Sequence, residues 1–158
     1  MFVLHKYVPE SVWMDVTQLI YTSVAVRDMD LADIEAIMQR SLDWNGREGI
    51  TGLLVYFSQS REFIQLLEGA QEAVQDLYEN SIKSDPRHRN VRTFFIETGN
   101  TRICPDWSMS FRLEGDCALR DGLTVSDFID GGQLAGDEKA MTHRLMVAYR
   151  DEVVRFNT

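Results

Sequence analysis

Apolar and polar positions along the chain change period several times, and each change marks an element. The β-branched and aromatic run at 18–23 predicts a strand. Leu31, Ile34, Ile37, Met38 and Leu42 then recur at three and four residues, so one face of a helix is apolar. Asp28 and Asp30 can cap its start, and Asn45-Gly46, which tolerate a left-handed backbone, predict its end. Runs at 50–57 and 62–67 predict two strands joined by the polar turn Ser58 to Arg61, a hairpin that Glu68-Gly69 breaks. Val74, Leu77, Tyr78 and Ile82 share one face of a second helix, from about Gln71 to Ser84, which Asp85-Pro86 stops. Residues 91–97 and the alternating run 108–112 predict two more strands.

The resulting order is βαββαββ. It predicts an α+β, ferredoxin-like fold: a mixed, mostly antiparallel five-stranded sheet with two helices on one face. Residues 1–16 read as an N-terminal leader, 17–112 as the compact domain, and 113–158 as a C-terminal helical extension. Five glycines punctuate the extension between Gly115 and Gly136. Helices fit at 125–129 and at 137–156, the second with Met141, Leu145, Ala148, Tyr149 and Val153 in a stripe and Met146 beside it. Such a helix either covers the free face of the sheet or contacts a partner or a second copy.

Composition narrows the field. In 158 residues, 44% are hydrophobic and 26% charged, enough apolar content for a real core without a disulfide or metal staple. The formal net charge of −9 argues against nucleic acid and against an anionic membrane surface as direct partners. Cys104 and Cys117 are too few for a secreted disulfide framework, no run of about 18 apolar residues is present, and the first residues do not form a signal peptide. A cytoplasmic location is expected.

Conventional catalytic patterns are missing from the sequence. There is no GxSxG, GxGxxG, Walker loop or HExxH, and His5, His88 and His143 are scattered. What stands out is polar residues where a core prefers apolar ones. Tyr21 lies between Ile20 and Thr22, and Gln65 interrupts Phe63-Ile64-Gln65-Leu66-Leu67. With strand alternation, Phe63, Gln65 and Leu67 share a face, opposite Ile64 and Leu66. A buried amide needs partners, so Gln65 is either a core residue satisfied by Tyr21 or backbone, or a group presented to a polar ligand. Asn45 is either a helix cap or a second such group. Arg87-His88 is either a solvated basic turn or an anion site. Trp107 and Met109, two apart, share one face of the last strand.

Six segments in order resemble the motifs of BLUF domains, which sense blue light with flavin: Leu19-Ile20-Tyr21, Asn45-Gly46-Arg47, Ile50-Thr51-Gly52, Phe63-Ile64-Gln65 through Glu68-Gly69, Asp85 to His88, and Asp106-Trp107-Ser108-Met109. The resemblance covers 17–112 and extends to the short, stand-alone members of the family. The turn around Phe57 to Glu62 is about two residues longer than the family pattern, by strand-and-turn spacing.

The resemblance implies a non-enzymatic photoreceptor holding FAD, or alternatively FMN, without a covalent bond. It implies that Ile37 and Ile82 grip the ring, Phe63 walls it, and Asn45 bonds its polar edge. Arg47 matches a frequently basic position, and Arg87 and His88 would meet the phosphate side. Tyr21 and Gln65 would form the photoactive relay: an electron and then a proton leave Tyr21 by way of Gln65 and return, leaving the amide rotated or tautomerised. Trp107 and Met109 would belong to the strand that switches. A downstream protein and self-association into an oligomer are the implied partners. The rival on the same fold is an acylphosphatase-like hydrolase using Arg and Asn at a phosphate site; a plain dimerisation module is the third reading.

Overall fold

The computed structural model describes residues 3–5, 16–114, 146–147 and 150–151. Its strands are β1 (Val3–His5), β2 (Val16–Ala25), β3 (Thr51–Phe57), β4 (Glu62–Gly69), β5 (His88–Asn100) and β6 (Trp107–Glu114). They form one sheet in the order β1-β6-β3-β4-β2-β5, antiparallel at every pair except β3 with β6. The βαββαββ plan is present, and part of the leader adds a sixth strand at the edge. The central strands are longer than the apolar runs imply because pairing on both sides carries polar residues such as Thr17, Gln18 and Glu68 into the ladder.

Helix α1 (Leu31–Glu48) starts at Asp30, whose side chain accepts from the Asp33 N–H while Asp33 accepts from the Asp30 N–H. This reciprocal box satisfies two of the otherwise unpaired donors at the helix start. The expectation that Asn45-Gly46 ends α1 is corrected: the helix continues to Glu48. Gly49 supplies the left-handed residue (φ 68°), and the Asn45 carbonyl accepts from both Gly49 and Ile50. Tolerance of a left-handed backbone did not compel one, and the next glycine took the role.

The second helix, α2, begins as Gln71–Asp76 and widens into a π-helical coil over Leu77–Ile82. There the Lys83 N–H reaches the Tyr78 carbonyl five residues back, at 3.0 Å. It ends before the predicted Ser84. Glu68-Gly69 also proves to be strand rather than a break.

Side chains alternate across the sheet. Ile20, Leu53, Val55, Phe57, Ile64 and Leu66 form a core on one face with Ile103, Cys104 and Met146. Leu19, Tyr21, Leu54, Tyr56, Phe63 and Leu67 face the other way, against Ile34 and Met38 of α1 and Val74 and Tyr78 of α2. The predicted helices at 125–129 and 137–156 lie outside the described residues, apart from helical positions at 146–147 and 150–151. There Met146 is buried in the far-face core, and Arg150 donates to the Ile103 carbonyl at 3.1 Å. No helix among the described residues is long and apolar enough to cross a membrane.

A buried polar cluster closes the end of β4. The Glu68 carboxylate accepts from Gln18 Nε2 (2.7 Å), Thr51 Oγ1 (3.3 Å) and the backbone N–H of Ile103 (2.5 Å) and Cys104 (2.8 Å). Arg102 lies beside it, donating to Thr51 Oγ1 (2.7 Å) and to the Glu68 and Gly49 carbonyls. Burial lowers the Arg102 pKa, against the opposing pull of Glu68. The segment joining β5 to β6 is thereby fastened three residues from Gln65.

Candidate functional site

A cavity of about 370 Å³ opens between α1, α2 and the helix-covered face of the sheet. All nine of the expected cofactor residues line it: Tyr21, Phe63 and Gln65 from the sheet, Ile37, Asn45 and Arg47 from α1, Ile82 from α2, and Arg87 and His88 at the start of β5. Strand alternation explains the sheet's share. Register sets Tyr21 opposite Gln65 and Gln65 opposite Leu54, so three neighbouring strands present their side chains at one level.

Gln65 is buried, and its amide is divided between two neighbours. Tyr21 Oη donates to its Oε1, and its Nε2 donates to Met109 Sδ at 3.4 Å. Met109 is fully buried, so this residue of β6 is turned into the molecule against the glutamine. Gly52 makes room for it. A Cβ there would stand 2.1 Å from the Leu66 carbonyl oxygen and 3.3 Å from Met109 Cε. Trp107 opens the same strand.

Tyr21 is held as a neutral phenol. Burial raises its pKa far beyond the ordinary tyrosine value, and Tyr78 and Asp85 add to the effect. The Tyr78 ring lies 5.5 Å from it, centroid to centroid. Tyr78 in turn accepts from Thr93 Oγ1 at 2.6 Å and carries the Lys83 ammonium 5.0 Å above its ring.

Asn45 is inside the helix, 1% exposed, and is not a cap. Its Nδ2 donates to the Ser108 carbonyl at 2.9 Å, tying α1 to β6. Its Oδ1 is buried with no hydrogen-bond partner within the described chain. A buried acceptor left so costs about 1–3 kcal/mol, which a ligand N–H at the cavity would relieve. An isoalloxazine ring meets these terms. It is a flat apolar body of a kind suited to a cavity lined by Ile37 and Ile82, with an imide edge that can donate to Asn45 Oδ1 and acceptors for an amide such as Gln65.

Arg87 and His88 are less free than the sequence suggested. Arg87 is paired with Asp85 at 2.6 Å, and its Nε also reaches both carboxylate oxygens. Burial opposes ionisation of Asp85, but the Arg87 hydrogen bonds win and hold its carboxyl below the usual range. His88 Nε2 donates to the Ile82 carbonyl at 2.5 Å, and its Nδ1 meets Ser23 Oγ at 2.8 Å. Both imidazole nitrogens are committed. Sequence reasoning missed Arg40, Asp43 and Trp44, which line the outer part of the cavity. On a sequence they look like the solvent side of α1.

The family model for BLUF, sensors of blue light using FAD, matches residues 16–110. The chain belongs to the BLUF family. Members of that family are sensors of blue light, and the cofactor of the family is FAD. Among similar proteins, the photoactivated adenylate cyclase subunit beta of Euglena gracilis is 36% identical over 99 residues, 62% of this chain and 11% of that protein. The blue light- and temperature-regulated antirepressor BluF of Escherichia coli (strain K12) is 36% identical over 75 residues, 48% of this chain and 18% of that one. This BLUF chain thus spans about a tenth of the cyclase subunit it matches. The dark-state structure of BlrB, a BLUF protein, superposes with a TM-score of 0.65 at 32% identity, covering 87% of this chain and 98% of that one. These likenesses give no support to the hydrolase reading.

Proposed function

We propose that this BLUF chain senses light through the Tyr21–Gln65 pair, with FAD held non-covalently in the cavity between α1 and α2. The observation that carries the reading is the Tyr21–Gln65–Met109 contact chain at the cavity wall. Ile37 and Ile82 grip the ring, Phe63 walls it, Asn45 Oδ1 accepts from its imide edge, and Arg47 lies at the outer side. Arg87 and His88, held by Asp85, Ser23 and Ile82, shape the remaining wall.

Bound flavin supplies absorption of blue light and, once excited, an oxidant able to take an electron from a phenol. Tyr21 then becomes a strong acid and releases its proton along its bond to Gln65 Oε1. Return of the electron to Tyr21, followed by the proton to its Oη, would restore the phenol. The Gln65 amide, whose two ends differ only in donor and acceptor sense, is left rotated or tautomerised. Its Nε2 no longer meets Met109 Sδ as before, and β6 changes its preferred placement.

This assignment places the photosensory domain at 17–112, with 1–16 as leader and 113–158 as the extension that passes the signal to a downstream protein or a second copy. It involves no substrate turnover; a cytoplasmic location goes with it, supported by a cysteine count too low for a secreted disulfide framework. Tyr21→Phe and Gln65→Leu are the test, read by visible absorption. Both variants are expected to retain flavin and lose the light-induced red shift. A variant that photocycles normally contradicts the relay.

A further inference from the structure

β1 lies outside the five predicted strands, yet it pairs with the strand that meets the cavity. Its three residues set Val3 opposite Ser110, Leu4 opposite Met109 and His5 opposite Trp107, so the ladder passes over Ser108. Both cavity amides take hold of β6 at the same place. Gln65 Nε2 donates to Met109 Sδ at 3.4 Å, and Asn45 Nδ2 donates to the Ser108 carbonyl at 2.9 Å. β3 pairs with β6 only from Ser110 onward. Trp107 and Met109 therefore have β1 as their only strand partner among the described residues. The start of β6 is thus held by the cavity amides from one side and by β1 from the other. A three-residue edge ladder with a register shift in it opens more readily than strands paired on both sides, such as β2 and β4.

We propose that β1 is a strap that light releases. While Gln65 Nε2 rests on Met109 Sδ, residues 107–109 keep the backbone path with which Leu4 and His5 pair. A turned Gln65 amide gives up that contact. The start of β6 then leaves its register, and β1, whose sole strand partner among the described residues is β6, separates from it. The outer edge of β6 is uncovered, and residues 3–5 are set free. The coupling runs both ways, because an attached β1 favours the placement of Met109 that the dark-state amide contacts. The inference rests on the proposed Tyr21–Gln65 relay.

The test is amide hydrogen exchange on the full chain loaded with FAD, in the dark and under continuous blue light. The visible spectrum is recorded from the same sample. Residues 3–5 are expected to exchange about tenfold faster in the light, while the doubly paired β2 changes by less than about twofold. In Gln65→Leu the light-dependent difference at residues 3–5 is expected to vanish. Leu4→Pro deletes an N–H from the edge strand. It is expected to keep the red shift and to show fast exchange at residues 3 and 5 with or without light. A red shift accompanied by unchanged exchange at residues 3–5 overturns the strap and leaves the relay standing. Equal acceleration in β2 also overturns the strap, since the whole sheet would then be loosening. Absence of any red shift overturns the relay, and the strap with it.

Discussion

In the proposed relay, Tyr21 has to release a proton on demand and hold it at every other time. Its burial meets the second requirement. The folded pKa lies above the unfolded value of 10.0, so the folded chain keeps a proton that the unfolded chain gives up above that pH. Its contribution to stability is therefore fully present below pH 10 and declines as the pH rises beyond it. The light-induced shift is expected to keep its amplitude as pH rises through 10.0, the ordinary tyrosine value, until the protein unfolds. A loss of amplitude with a midpoint at that value would show Tyr21 to be solvated. This pair was legible in the sequence, because a glutamine inside an apolar strand run demands a partner. Asn45 was legible only as an alternative, since the same Asn-Gly pair also suits a helix end. Trp44 and Arg40 gave no signal, because a polar stripe on an amphipathic helix reads as its wet side.

Among the elements, β4 does two jobs. Its helix-facing residues supply Phe63 and Gln65, and its last turn of alternation sends Glu68 to the opposite face. There the carboxylate gathers two backbone N–H groups of the β5–β6 connection, Gln18 and Thr51. Glu68→Leu strands those donors in a buried place. It is expected to lower the unfolding free energy by at least about 2 kcal/mol, measured by denaturant titration. A neutral result would mean that the connection is held by something else. The sequence showed Glu68-Gly69 as a strand break because Glu and Gly are poor strand formers. Tertiary hydrogen bonds outweighed that propensity. Nor did the sequence reveal the π-helical coil of α2. Its apolar spacing fits an ordinary helix, and the wider coil is the one that carries the buried Tyr78.

Across the molecule, the sheet separates the face that carries the cavity from the face on which Met146 packs. The cavity, Tyr21 and Gln65 lie under the two helices, while Met146 packs among Ile103 and Cys104 on the other side and Arg150 bonds to Ile103. Met109 on β6 touches Gln65, and β6 follows directly from the segment that Glu68 fastens. In the proposed account, a turned Gln65 amide therefore reaches the far face through β6 without crossing the core. The succession of elements along the chain was legible from periodicity, and the edge strand β1 was not, since three residues carry too short a pattern.

The whole account stands on one spectrum. The chain is purified in dim light, and its visible absorption is recorded before and after blue illumination. The account predicts a flavin spectrum that moves slightly to the red and returns in the dark. A colourless protein that takes up no added flavin, or a bound flavin that only bleaches, would contradict it.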